Sequence, residues 1–302
     1  MGLEMSSPSL DLVCVSYLAD AGIQHVTDYP AANHGAIITE TFDSIAADGP
    51  ITALTARLLG LRVGLISNQI GADPEGQRLL ATLDRAHIQH TIDPDVSGTT
   101  PKLTVITDDA GTRTWFAWLD HAYAQLAVAN LAMIATARLA YIDCYSAITE
   151  AAARAIRFAD RTPLILNLGS DQLHPDIQQA TQGRQILAVQ TSIDETDAGD
   201  AEALAADILG RLRPQAVVIT LGRYGAIALT RDGLHHAQAP QAPVRHTHGA
   251  GAAFSAGYAH ALLLGGTVDE ALAAGCGLGT DHCAGRNPII PAQRQLQPAL
   301  RL

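Results

Sequence analysis

The 302-residue sequence predicts an α/β domain: a doubly wound, mainly parallel sheet flanked by helices, with a small β-lid over one edge. Three observations carry this. After about residue 120, short apolar runs alternate with helix-length segments, a pattern that places helices over a parallel sheet. Hairpin-rich pieces near residues 12–45 and 98–120 fall outside that alternation. Finally, 48% of residues are hydrophobic but only 4% aromatic, so the core must be mostly Ala, Leu, Ile and Val, in a chain long enough for one large domain.

In chain order, Leu12-Val13-Cys14-Val15 reads as the first strand. Residues 20–48 are irregular and suit exposed strands and loops better than core. Thr52 to Leu59 reads as a helix stopped by Gly60, and Val63-Gly64-Leu65-Ile66 as the next strand. Asp73-Pro74-Glu75-Gly76 starts a helix that runs to Ala86. Thr104 to Thr107, the turn Asp108-Asp109-Ala110-Gly111, and Thr112 to Trp118 read as a hairpin. Strands then follow at Leu139–Ile142, Pro163–Leu168, Ile186–Val189 and Ala216–Thr220, with helices at Glu150–Ala159 and Ala201–Arg211. Ala226–Thr230 and Gly233–Gln238 form a late hairpin. Two helices close the pattern, Ala252–Leu264 and Val268–Ala274. With no repeat, low-complexity tract or linker, residues 1–302 read as a single domain with lid segments at approximately 16–45 and 98–120.

The formal charge is −11, from 19 Lys and Arg against 30 Asp and Glu, which argues against nucleic-acid backbones and anionic membranes as partners. No apolar run reaches roughly 18 residues, so no transmembrane helix is expected. The first ten residues read as a loose leader and not as a signal peptide. Cys14, Cys144, Cys276 and Cys283 lack framework spacing and read as reduced thiols of a cytoplasmic protein. Packing is the simpler role for Cys276 and Cys283, seven residues apart, than a metal site.

Gly249-Ala250-Gly251 opens a helix. Such a turn makes an anion cradle, because backbone N–H groups point outward, the helix dipole favours negative charge and absent side chains let a phosphate approach. The plainer reading is a tight helix start with no ligand. Phosphoryl transfer also benefits from a carboxylate that takes the acceptor's proton, and Ala252 offers a methyl group there.

Three segments together resemble the ribokinase-like (PfkB) carbohydrate kinases. Leu58 to Ser67 followed by Gly71-Ala72-Asp73-Pro74-Glu75-Gly76 resembles the early helix–strand–loop of that family. Thr220-Leu221-Gly222-Arg223-Tyr224-Gly225 resembles its nucleotide-side loop. His246-Thr247-His248-Gly249-Ala250-Gly251-Ala252-Ala253-Phe254 resembles its C-terminal signature, Asp-Thr-x-Gly-Ala-Gly-Asp-x-Phe. The resemblance implies ATP and Mg²⁺ along the C-terminal half of the sheet, a sugar or nucleoside under the lid, and Gly249, Ala250 and Gly251 as the anion hole. It places Thr220, Gly222, Gly225, Ser192 and Glu195 at the nucleotide, with Glu195 an indirect Mg²⁺ contact. Asp20, Gly49 and Ala53 fall on the substrate side. Pairing of lid edges into a homodimer is a further expectation.

The departures from the family pattern are specific. Its base falls on Ala252, its opening aspartate on His246, and the residue before Gly-Ala-Gly is His248. Its substrate asparagine falls on Ala53, its Asn-x-x-Glu on Ser192-Ile193-Asp194-Glu195, and Asp20 matches its substrate aspartate only with a one-residue offset. An engineered Asp→Ala change would leave the remaining positions in family form, so the several departures favour natural divergence. His246 and His248 are candidate replacement bases, since an ordinary His titrates near 6.5; the alternative is two loop histidines bonded to backbone or solvent. Glu195 equally suits a capping carboxylate. Trp115, Phe116, Trp118, Asp120 and His121 form an aromatic–polar cluster on the lid, fit either to stack on a sugar or base or to cover the lid's own underside. Asp281-His282-Cys283, Arg286 and Asn287 form a polar run that suits either an adenine-side contact or a packed helix end. Three functions follow: a divergent ATP-dependent sugar or nucleoside kinase impaired or altered at Ala252, a pseudokinase that binds nucleotide or sugar without turnover, or an enzyme recruited to another reaction through His246 and His248.

Overall fold

The computed structural model describes residues 9–119 and 121–286; most of the leader, Asp120 and Asn287 lie outside the described residues. The chain runs β1 (Leu10–Val15), β2 (Ala19–Val26), β3 (Ile38–Ala46), α1 (Asp48–Leu58), β4 (Val63–Ile66), β5 (Ile70–Gly71), α2 (Pro74–Arg85), β6 (Gln89–His90), β7 (Pro94–Asp95), β8 (Lys102–Thr107) and β9 (Arg113–Trp118). It continues with α3 (Ala122–Ala127), β10 (Ala137–Asp143), α4 (Thr149–Phe158), β11 (Leu164–Asn167), α5 (Pro175–Ala180), β12 (Ile186–Ser192), α6 (Ala201–Leu212) and β13 (Ala216–Thr220). It closes with β14 (Ala226–Thr230), β15 (Leu234–Ala237), α7 (Ala250–Leu263) and α8 (Val268–Cys283).

Nine strands make the main sheet in the order β15-β14-β13-β12-β11-β10-β1-β4-β6. Pairing is parallel from β6 to β13 and antiparallel for β13–β14 and β14–β15. The Leu-Val-Cys-Val run of β1 is buried on both faces, as a strand without polar alternation must be when helices cover both sides. One face packs against α4, α5 and α6 through residues such as Ile156, Ile177 and Ile208. The other packs against α1, α2, α7 and α8 through Ile51, Leu79, Phe254 and Leu272. Four strands in the order β3-β2-β8-β9 form the lid sheet, held by a small cluster of Ala19, Ala21, Ile23, Leu103 and Val105.

Several element boundaries differ from the sequence reading. Helix α1 begins at Asp48, four residues before Thr52, because Pro50 is tolerated in a first turn and Asp48 suits the positive end of the helix dipole. Helix α8 runs to Cys283, past the expected stop at Ala274. Gly275, Gly277 and Gly279 each weaken a helix by about 1 kcal/mol in isolation, but packing of α8 on α7 overrides that preference. Residues 20–48, read as irregular, contain the two long lid strands β2 and β3.

Candidate active site

The strand order reverses between β1 and β10: the chain steps from β1 to β4 on one side, and β10 lies on the other. Parallel sheets open a crevice at the carboxyl ends of strands at such a switch point. Val15 pairs with Ile142 there, so Ser16 and Asp143 are the side-by-side residues that open the crevice.

Asp143 is fully buried and held by three donors. Ser16 Oγ donates to its Oδ2 at 2.5 Å, the Gly49 backbone N–H to the same oxygen at 2.8 Å, and Asn167 Nδ2 to Oδ1 at 2.8 Å. Asn167 is oriented by the Gly169 N–H, which donates to its Oδ1 at 3.1 Å. Its amide also donates to Asp48 Oδ2 at 3.0 Å, an oxygen that accepts from Tyr145 OH at 2.7 Å. Asp48 is half-buried at the start of α1. Among the described residues neither carboxylate has a Lys or Arg partner. Burial and then the nearby charge of Asp48 push the Asp143 carboxyl up to about 7, against the opposing pull of its hydrogen-bond donors. Burial also holds the Tyr145 phenol protonated. The Tyr17 ring packs edge-on against Tyr123 and Tyr145, at 6.1 and 6.3 Å between centroids. These residues form a polar cluster walled by aromatic rings.

The cradle lies beside it. Gly249 takes a left-handed conformation (φ 79°) immediately before α7, a geometry that favours glycine. The N–H groups of Gly251 and Ala252, in the first turn, have no carbonyl four residues earlier within the helix to receive them. A side-chain carbon at Gly251 would meet nothing within 4 Å, whereas Ala252, the next residue, is fully buried. Three contacts hold the turn from beneath: Thr52 Oγ1 donates to the Ala252 carbonyl at 3.1 Å, and Ser255 Oγ donates to the Gly251 carbonyl at 2.9 Å and to Gln190 Oε1 at 2.8 Å. Arg113 of the lid reaches the Thr247 carbonyl at 3.5 Å.

The two signature histidines are packed against neighbouring segments in this geometry. His248 Nε2 donates to the Ile45 carbonyl at 3.1 Å, and His282 Nε2 donates to the His248 carbonyl at 2.7 Å. His246 stacks edge-on against His282 at 5.2 Å, and neither of its ring nitrogens, both buried, has a partner among the described residues. Burial, the largest cause for each, pulls His246 and His248 down to about 4. Both are neutral at pH 7 and weakly basic, which counts against a replacement-base role.

The family model for pfkB family carbohydrate kinases matches residues 52–292. The chain belongs to that family. Among curated proteins, none matches the sequence. Solved structures share its fold at low identity. A microbiome-derived acarbose kinase superposes with a TM-score of 0.73 at 22% identity, covering 91% of this chain and 93% of its own. A Burkholderia thailandensis nucleoside kinase in complex with inosine gives 0.70 at 16%, covering 92% and 91%. Arabidopsis thaliana ribokinase complexed with ribose and ATP gives 0.70 at 15%, covering 93% and 96%.

The pfkB nucleotide-side positions gather at the ends of β12 and β13. Ser192 and Thr220 are paired in register. Glu195 accepts from the Arg223 backbone N–H at 2.9 Å and from Arg223 Nε at 2.5 Å, an ion pair that lowers its pKa. Its carboxylate therefore ties down the loop that carries Gly222 and Gly225. The substrate-side positions divide. Gly49 donates its N–H to the buried Asp143, whereas Ala53 is fully buried in the core and Asp20 is ion-paired with Arg78 of α2. Trp115, Phe116 and Trp118 are 61%, 57% and 53% exposed. Trp115 pairs with Val105 and Trp118 with Lys102, which puts the two indoles on opposite lid faces. His282 is a packed helix residue. The sequence reading missed Asp48, Asp143, Asn167, Ser16 and Tyr145. The available signal was a polar residue closing an apolar strand, as Asp143 closes β10 and Asn167 closes β11.

Proposed function

We propose that the protein catalyses ATP-dependent phosphorylation of a hydroxyl on a small sugar or nucleoside. The observation that carries this reading is the glycine-rich first turn of α7, packed against α1, whose own first turn joins the buried Asp143 cluster. In this reading the first turn of α7 offers the Gly251 N–H to the transferring phosphate, which stabilises charge without any side chain. Thr220 and Ser192 flank the nucleotide, and the Glu195–Arg223 pair fixes the loop around Gly222. Asn167, Tyr145 and Ser16 present donors and acceptors to substrate hydroxyls, and the lid excludes water. Nucleotide brings the phosphoryl group and, with it, Mg²⁺. Among the described residues no group of three His, Cys, Asp or Glu is placed to hold a metal, which suits an ion carried mainly by phosphate oxygens and water. The unpaired lid edges, β3 and β9, suit a homodimer.

A second reading, nucleotide or sugar binding without turnover, is favoured by the methyl group of Ala252 and the weak basicity of His246 and His248. The test is Mg·ATP binding by calorimetry and phosphate transfer to a panel of pentoses, hexoses and nucleosides. Binding with transfer supports the kinase, binding without transfer supports the non-catalytic binder, and no Mg·ATP binding removes the kinase and the nucleotide binder.

A further inference from the structure

We infer that Asp48 supplies the general base that position 252 lacks. This rests on the kinase reading above.

The geometry points to Asp48 from three directions. It sits on the rim of the cradle: Ile45, three residues before it, accepts the His248 hydrogen bond at 3.1 Å. A side-chain carbon on Gly249 would touch the Ile51 side chain, three residues after it, at 3.0 Å. One turn further, Thr52 holds the Ala252 carbonyl at 3.1 Å. The first turn of α1 thus lies directly against the loop that cradles the phosphate. Asp48 is also held in the manner of a base. Tyr145 and Asn167 fix its Oδ2 at 2.7 and 3.0 Å, while Oδ1 has no hydrogen-bonding partner among the described residues and the residue is half-exposed to the crevice. A base needs one oriented, reachable oxygen. The other carboxylates nearby are committed. Asp143 is fully buried with both oxygens bonded, Asp20 is ion-paired with Arg78, and Glu195 with Arg223.

In the step, Asp48 Oδ1 takes the proton of the acceptor hydroxyl as that oxygen bonds to the transferring phosphorus. The electron pair of the broken P–O bond stays with the departing nucleoside diphosphate, and Asp48 later gives its proton to water.

The test compares the parent protein, Asp48→Asn, Asp48→Glu and the double variant Asp48→Asn/Ala252→Asp. Mg·ATP affinity is read by calorimetry, folding by thermal melting, and turnover against the acceptor panel and water across pH 5–9. The inference expects Asp48→Asn to bind Mg·ATP within about threefold of the parent and to keep KM for the acceptor. Its kcat falls about 10²–10⁴-fold. Asp48→Glu keeps part of the turnover, and the double variant regains at least tenfold over Asp48→Asn. A folded Asp48→Asn with kcat within threefold of the parent overturns the inference and leaves the kinase reading intact. A parent that binds Mg·ATP but transfers nothing overturns the inference and, with it, the kinase reading in favour of the non-catalytic binder. Absence of Mg·ATP binding in every variant removes the kinase reading and the inference with it.

Discussion

The two halves of the site are built differently. On the cradle side, the geometry is made of backbone: a left-handed Gly249, the first N–H groups of α7 and the turn between β13 and β14. On the acceptor side it is made of side chains brought together from distant segments. Ser16 and Asp143 are 127 residues apart, Gly49 and Asp143 94, and Asp48 and Asn167 119. Backbone geometry tolerates divergence of the side chains around it, so the cradle keeps its shape although Ala252, His246 and His248 depart from the family. The acceptor side has no such protection. Its chemistry changes whenever one contributing strand end changes, and here the positions matched by family motif, Ala53 and Asp20, face the core and an arginine.

The largest effect that tests this contrast lies in the β13–β14 turn. A side-chain carbon at Gly225, whose φ is 93°, would come within 2.0 Å of the Ala237 carbonyl oxygen and 2.7 Å of the Ala239 nitrogen. Both neighbours are backbone and cannot step aside. Gly225→Ala should cost more than about 4 kcal/mol by urea unfolding, in the exceptional range for one substitution. At Gly222 (φ 55°) the neighbour is the Glu195 carboxylate at 2.5 Å, which can rotate away. Gly222→Ala should cost about 1–2 kcal/mol, the ordinary penalty of a left-handed alanine. Equal costs would break the distinction between a backbone-built and a side-chain-built corner.

Asp143→Leu tests the other half. It leaves the Ser16 hydroxyl and the Gly49 N–H without their acceptor, at about 1–3 kcal/mol for each buried group left unpaired, while the Asn167 amide keeps Asp48. It also removes a desolvated charge whose cost grows as Asp143 ionises. The net loss should be about 2–4 kcal/mol at pH 5.5 and smaller at pH 8. A loss that does not shrink with pH would show that the carboxyl is not strained by burial.

The same contrast explains what was legible in the sequence. The fold and the cradle were, because each of their signals is local: alternating apolar runs, and Gly-Ala-Gly at a helix start. The acceptor cluster was not, because no local pattern ties Asp143 to Asp48 or Asn167. Only the strand order places them together, and that order becomes known once β10 pairs with β1. His246 and His248 were legible as residues but not in role. Their burial and the His248–Ile45 bond depend on α1 and α8 closing over the loop.

A smaller effect joins the two sides through pH. The folded-state pKa of Asp143, about 7, lies above its ordinary 3.8, so the folded state holds an extra proton and stability falls as pH rises from about 4 to 7. His246 and His248, at about 4, lie below their ordinary 6.5, so the unfolded state holds extra protons and stability rises across about 4 to 6.5. Burial lowers His282 in the same way, so the histidines outweigh the one aspartate. Stability should climb by at least about one proton equivalent, 1.4 kcal/mol per pH unit, up to about pH 6.5 and then dip slightly. Asp143→Asn should steepen the climb towards two equivalents and abolish the dip, read from urea midpoints between pH 4.5 and 7.5. An unchanged slope would sink the opposition of the two sides.

The smallest effect separates the two bonds that Glu195 makes. The Arg223 side chain is 75% exposed, and exposed ion pairs contribute little because water screens them and ordering two long side chains costs entropy. Arg223→Ala should therefore leave the melting temperature almost unchanged, since the Arg223 backbone N–H still donates to Glu195. Glu195→Ala removes that backbone tether as well and frees the loop carrying Gly222. It should lower the melting temperature more than Arg223→Ala does and, on the kinase reading, weaken Mg·ATP binding while leaving the acceptor pocket untouched. If Arg223→Ala proves the more damaging of the two, the guanidinium itself holds the loop, and the nucleotide side depends on a side chain as much as the acceptor side does.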